Sequence, residues 1–130
     1  MCGIVGSLSF KINSTVKPLE DDLRLISHRG PDGSGYFKDE YVRLGHTRLA
    51  IIDLEESANQ PMISVNCENV IVFNGEIYNY VELRAELEEV GLLFVTNSDT
   101  EVILNAYQHW GIDCLARFRG MFALDRKSVV

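Results

Sequence analysis

The chain opens Met1-Cys2-Gly3-Ile4-Val5-Gly6, and the reading of this stretch decides what the rest of the fold must serve. If the initiator Met1 is removed, Cys2 becomes the amino terminus and carries a thiol and a free amine on one residue. A thiol with a reference pKa near 8.5 is only roughly 3% thiolate at pH 7. The α-amino group titrates at about 7.7–8.0, so roughly a tenth or more is neutral and able to accept a proton. A nucleophile and its base can therefore share one residue, as in threonine enzymes that use their own terminal amine. With Met1 retained, Cys2 bears an amide and that base is lost. The plain alternative is a buried strand in which residue 2 is cysteine by chance.

The 130 residues suit one domain with a respectable core. Hydrophobic residues make up 46% and charged residues 24%, the balance of a soluble globular protein. Twelve basic against nineteen acidic residues leave a net charge of −7, and no basic run forms a phosphate-binding footprint, which argues against a nucleic-acid partner. The longest apolar runs are short, such as residues 49–52 and 92–95, and fall far short of a membrane span. A signal peptide's basic region and apolar stretch are absent from the start. Cys2, Cys67 and Cys114 form no CxxC pair or Cys/His cluster, so no metal site is expected and thiols in a reducing cytoplasm are the default. Cys67 and Cys114 read as small, partly buried residues.

Residues 2–10 read as a strand, with glycines at 3 and 6 of the kind that mark close approach of a ligand or another backbone. After a polar loop at 11–17, Pro18 suits a first helical position, acidic residues 20–22 suit the first turn, and Leu19, Leu23 and Ile26 form a stripe. Gly30-Pro31 ends that helix, and residues 27–35 read as a glycine-rich loop carrying Arg29 and Asp32. Residues 36–53 look like a β-ribbon, with Tyr41, Val42 and Leu44 in one run, Leu49, Ile51 and Ile52 in the next, and Gly45-His46-Thr47-Arg48 between them. Asn59-Gln60-Pro61 reads as a turn. Val70-Ile71-Val72-Phe73 is a short buried strand running into Asn74-Gly75, the strongest turn dipeptide of the chain. Asn79 and Glu82 stand at capping distance before a helix at about 80–90 with the stripe Leu83, Leu87, Val90. Residues 92–96 read as a strand, Ser98 with Glu101 as a capping box for a second helix, and residues 118–124 as another strand. Helices arriving in blocks among turn-linked strands favour α+β layers over alternating βαβ units.

Three further signals could serve the terminal thiol. Arg48 can grip a carboxylate with a bidentate fork, although a surface arginine is the commoner case. Asn74 and Gly75 could aim a side-chain NH2 and a backbone N–H at one oxyanion, although Asn-Gly alone is a common turn. Asp99 opens a helix, where an acidic residue is routine, yet it could also meet a substrate ammonium. Combined, the groups describe a site for an α-amino acid with a side-chain acyl group. A cysteine-protease-like hydrolase is weaker, because no Cys/His pair is marked by motif; His28, His46 and His109 read as structural.

With these residues in hand, the chain resembles the glutaminase domain of class II glutamine amidotransferases, the N-terminal nucleophile type, and within them the asparagine synthetase branch. The matching stretches are Met1-Cys2-Gly3-Ile4, His28-Arg29-Gly30-Pro31-Asp32-Gly33, and Gly45-His46-Thr47-Arg48 running on to Asp53. Gln60-Pro61-Met62, Phe73-Asn74-Gly75-Glu76-Ile77-Tyr78-Asn79-Tyr80 and Ser98-Asp99-Thr100-Glu101 follow in the family's order, covering residues 1 to about 123. The resemblance implies a four-layer αββα sandwich of antiparallel sheets and hydrolysis of L-glutamine to glutamate and ammonia. It implies Cys2 as nucleophile with its own amine as base, Asn74 and Gly75 as oxyanion hole, Arg48 on the glutamine carboxylate, Glu76 and Asp99 at the amino-acid end, and Arg29 and Gly30 in the pocket loop. It further implies a synthetase domain, in cis or in trans, that uses ATP and magnesium, and it admits a homodimer for a full-length enzyme. Residues 1–130 carry no pyrophosphate-binding Ser-Gly-Gly loop, so no cofactor is expected in this chain. The family's sandwich is expected to continue past Val130, which makes a C-terminally truncated domain the expectation and a non-catalytic fragment or partner-binding subunit the alternative.

Overall fold

Each hydrophobic stripe finds a layer to cover. The computed structural model describes residues 2–9 and 19–128. Strands β1 (Gly3–Leu8), β2 (Gly33–Lys38) and β3 (Val42–Arg48) form one antiparallel sheet in the order β1-β3-β2. Strands β4 (Met62–Ile63), β5 (Asn69–Ile77) and β6 (Gly120–Ser128) form a second, also antiparallel, in the order β4-β5-β6. Helix α1 (Leu19–Leu25) buries Leu19 and Leu23 over Gly45 of β3. The expected start of that helix at Pro18, the loop at 11–17 and the strand residue Phe10 lie outside the described residues.

Side chains of a strand alternate between faces, so each middle strand serves two cores. Val42 and Leu44 of β3 meet Val70 and Val72 of β5 between the sheets, with Ile4 and Phe37 at the margin. Ile71, Phe73 and Ile77 of β5 face outward into a larger core built with Leu83 and Leu87 of α2 (Tyr80–Glu89) and Val102, Ile103 and Ala106 of α3 (Asp99–Trp110). The result is helix, sheet, sheet, helix: the αββα arrangement expected. None of the described helices is long and apolar enough to cross a membrane.

Several local expectations are corrected. Asn74-Gly75 is no turn; β5 continues through both residues to Ile77, paired along its whole length with β6. Gly45-His46-Thr47-Arg48 lies inside β3, and the run at 49–52 is not a strand, because its backbone N–H groups go to side chains: Leu49 to the Cys2 thiol at 3.3 Å and Ala50 to Asp32 Oδ2 at 2.9 Å. Residues 92–96 fail as a strand for the same reason. Val95 and Thr96 donate to the Glu101 carboxylate, the Thr96 carbonyl accepts from Arg84, and the Leu93 carbonyl accepts from Asn105. The loop at 27–35 is shorter than expected, with a 3₁₀ turn at Ser27–Arg29 and β2 starting at Gly33.

Asn79 does not cap α2; its side chain bridges the Arg117 carbonyl and the Arg119 N–H. Val90 is exposed rather than part of the stripe, as is Cys67, which sits in a turn with φ 59, while Cys114 is fully buried. Ser98 does cap α3, accepting from the Thr100 and Glu101 N–H groups, but Glu101 reaches past it to Val95 and Thr96. Its two oxygens take three hydrogen bonds at 2.6–2.9 Å in a buried position. Glu101→Ala therefore leaves buried donors without partners and should lower unfolding free energy by about 2–3 kcal/mol, against about 1 kcal/mol for Ser98→Ala, in urea titrations.

Candidate active site

The geometry of β4 creates the site. β4 pairs with β5 only at Met62↔Ile71 and Ile63↔Val70, so past Ile71 that edge of β5 has no strand beside it among the described residues. Its N–H groups turn to side chains. Phe73 donates to Gln60 Oε1 at 2.6 Å, and Ile77 donates to Asp99 Oδ2 at 3.0 Å. Edge-facing N–H groups recur at every second residue of an antiparallel strand, so the Gly75 N–H lies on the same edge between these two anchors. Gly75 also needs to be glycine: a Cβ there would collide with the Met121 carbonyl and lie 2.5 Å from Phe122 Cα of β6.

A cavity of about 160 Å³ opens at this edge and is lined by Cys2, Arg48, Asn74, Gly75, Glu76 and Asp99, together with His46 and Gln60. Six of the eight residues singled out from the sequence thus meet in one place. The other two stand behind it. Arg29 Nε donates to the Cys2 carbonyl at 3.0 Å, and Gly30 lets its loop pass so close to β3 that a Cβ would lie 2.5 Å from the Arg48 nitrogen. The Cys2 thiol rests against residue 49, accepting from the Leu49 N–H at 3.3 Å.

Arg48 ends β3 and is partly committed. Nη1 donates to the Glu55 carbonyl at 2.9 Å and to Asn59 Oδ1 at 2.6 Å, and Nη2 donates to the Asp53 carbonyl. Nε and the second Nη2 proton keep one side of the fork for a ligand carboxylate. Asp99 is the first residue of α3 and is buried, which raises its carboxyl pKa; the Ile77 and Thr100 N–H groups pull the other way, and neighbouring Glu76 adds to the rise. A guanidinium with two carboxylates in one small cavity is charge-matched to a zwitterion carrying its own carboxylate and ammonium. Held by those two ends, such a ligand would have its side chain left for Cys2, Asn74 and Gly75 in the same cavity.

Two cavity residues carried little or no functional signal in the sequence. Gln60 was legible as part of a proline turn and of a family-matching stretch but was given no role, yet it joins Phe73 to Thr100 Oγ1, its Nε2 donating to the latter at 3.1 Å. His46 read as structural; it is 1% exposed, and burial lowers its pKa from 6.5 to about 4. No periodicity marks a hydrogen bond between residues 13 apart, or a histidine placed on a cavity wall by strand alternation.

Because the folded-state pKa of His46 lies below its unfolded value, its neutral ring favours the fold fully above pH 6.5, and that contribution is lost as pH falls toward about 4. Asp99, raised by burial, works in the opposite sense at the acid end. Wild type should lose up to about 3 kcal/mol over this window through His46, and His46→Gln should flatten the slope of unfolding free energy against pH by up to about 1.4 kcal/mol per unit. Denaturant titrations between pH 7 and 4.5 measure both slopes.

Comparison with known proteins places this arrangement. A family model described as a glutamine amidotransferase domain matches residues 1–127. Asparagine synthetase [glutamine-hydrolyzing] 1 of Bacillus subtilis is 46% identical over 127 residues, covering 95% of this chain and 20% of that protein. Amidase chry2 of Gibberella zeae is 44% identical over 136 residues, covering 95% of this chain and 20% of that protein. Among solved structures, the glutamine phosphoribosylpyrophosphate amidotransferase of B. subtilis superposes with a TM-score of 0.57 at 25% identity, covering 70% of this chain and 22% of that one. The chain spans about a fifth of the length of these curated relatives.

Proposed function

The chain belongs to the glutamine amidotransferase domain family, and from that premise we propose that it hydrolyses L-glutamine to glutamate and ammonia with Cys2 as nucleophile. The observation that carries the reading is the Gly75 N–H, without a strand partner on its edge among the described residues, set between two anchored neighbours and sharing a cavity with Cys2 and Asn74. A preorganised N–H of this kind is worth most where negative charge develops during reaction.

The steps follow from the groups present. With Met1 removed, the Cys2 α-amine takes the thiol proton and sulfur attacks the glutamine carboxamide carbon. The carbonyl π pair moves onto oxygen, which receives hydrogen bonds from Asn74 Nδ2 and the Gly75 N–H. Collapse re-forms the carbonyl, breaks the C–N bond and passes the proton from the amine to the departing nitrogen, leaving ammonia and a thioester. Water then adds to the thioester with the same amine as base, and sulfur leaves to give glutamate. Arg48 holds the substrate carboxylate, and Glu76 and Asp99 hold its ammonium. Arg29 acts on Cys2 through the backbone carbonyl, and Gly30 lets the loop that carries Arg29 approach β3.

The ammonia is consumed by an amide-forming synthetase domain that uses ATP and magnesium, in cis or in trans. Relatives named as an asparagine synthetase and as an amidase match almost equally well, so the acceptor acid is a property of that other domain. A reducing compartment such as the cytoplasm suits a catalytic thiol.

Glutamate release from glutamine tests the reading. Cys2→Ala, and protein that retains Met1, should both fall to background. Asn74→Ala should lose about 10²–10³ in kcat with KM little changed, since its contact is made in the transition state. Equal rates for wild type and Cys2→Ala would overturn the assignment.

A further inference from the structure

Between the sheets, the two inner rows of side chains end alike. β3 presents Val42, Leu44 and then His46, and β5 presents Val70, Val72 and then Asn74, each at the every-second-residue spacing that puts them on one face. The first two members of each row form the apolar inter-sheet core, and the third members line the cavity. The buried side-chain nitrogens and oxygens without a hydrogen-bond partner among the described residues are His46 Nδ1, His46 Nε2 and Asn74 Oδ1. The backbone of Phe73, the residue before Asn74, lies beside the His46 ring without reaching hydrogen-bond geometry. Buried polar atoms are paired in the great majority of native positions, so three orphans on one cavity wall mark contacts still to be made, and hydrogen bonds of a catalytic site often tighten only around the reacting complex.

We propose that His46 is a positioning residue for the oxyanion hole: around bound substrate, one ring N–H of the neutral imidazole closes onto Asn74 Oδ1, a bond the two do not make here, and thereby fixes the amide with Nδ2 toward Cys2. The inference rests on the glutaminase reading above and adds a residue to it. An amide's oxygen and nitrogen are close to isosteric, so a cavity that offers Oδ1 no donor leaves the group free to turn over. Turned over, Asn74 would face a developing oxyanion with its own oxygen and repel it. A donor on Oδ1 removes that state, and only His46 stands in the adjoining row. The ring must be neutral to hold one N–H and one lone pair in a fixed tautomer. The charged or titratable groups sharing its cavity are Cys2, Arg48, Asp53, Glu76, Tyr78 and Asp99.

A double-mutant cycle on the Met1-processed chain tests the coupling. His46→Leu should lower kcat for glutamine about ten- to a hundredfold, less than loss of the Asn74 donor itself. KM should stay within about threefold, and His46→Gln, which retains an N–H donor, should recover part of the loss. In an Asn74→Ala background, His46→Leu should cost nothing further. The same fold loss in both backgrounds, or an unchanged kcat, overturns the proposal.

Should His46→Leu fail to fold, ¹⁵N NMR of the His46 ring in Cys2→Ala protein saturated with glutamine reads the contact. One protonated and one bare nitrogen, unchanged between about pH 5 and 8, is required; a ring that exchanges tautomers or titrates near 6.5 overturns it. Wild type that releases no more glutamate than Cys2→Ala would instead remove the glutaminase reading, and the NMR result would still decide whether the ring is fixed.

Discussion

Beyond Ile71, strand β5 has a strand partner along only one edge among the described residues, and the site depends on how that open edge is satisfied. A buried backbone N–H without an acceptor costs about 1–3 kcal/mol, so an unfilled edge beneath a helix would destabilise the sheet. Gln60 and Asp99 answer two of the three positions with side-chain oxygens. The third, at Gly75, opens on the cavity. Leaving one N–H unanswered between two that are fixed gives a donor whose direction is set before any ligand arrives. That is the condition under which a dipole stabilises developing charge without reorganising.

The same economy explains the polarity of the wall. The inter-sheet core is apolar for two residues along each middle strand and changes character at the third, His46 and Asn74. Burial lowers the pKa of His46 and raises that of Asp99, so two titratable groups of the cavity are tuned by exclusion of water. Arg48 meanwhile spends three N–H groups on the carbonyls of residues 53 and 55 and on Asn59. It therefore builds the wall it also lines. A substitution at Arg48 would confuse loss of a ligand contact with loss of the 53–59 segment.

What the sequence made legible was local or motif-borne. The Ser98 cap, the burial of Leu19 and Leu23 on α1 and the buried character of residues 70–73 follow from neighbours a few positions apart, and they stand. The misreadings share a cause. Residues 49–52 and 92–96 are apolar enough for strands, but Asp32, Cys2, Glu101, Arg84 and Asn105 take their backbone groups, and those partners lie up to 47 residues away. Asn74-Gly75 has the composition of a turn, yet β6 supplies a full-length partner that carries the strand through it. Cys2, Arg48, Asn74, Gly75, Glu76 and Asp99 could be named because a family pattern orders them; their meeting in one cavity is a product of tertiary structure. Gln60 acts through bonds between distant residues that no period announces, and His46 ends a strand-period row whose opening on a cavity is set by the packing of the two sheets.

The contact between Gly75 and β6 has a mechanical side. No side chain separates the backbone of Phe122 from that of Gly75, so the two strands bear on each other main chain to main chain. β6 is the edge of its sheet among the described residues, with Met121 70% exposed. Whatever presses on or stretches that outer strand is transmitted to the Gly75 N–H with no soft link between. The width of the cavity is thus set from the far side of the sheet, by a strand that contributes only one side chain to its lining.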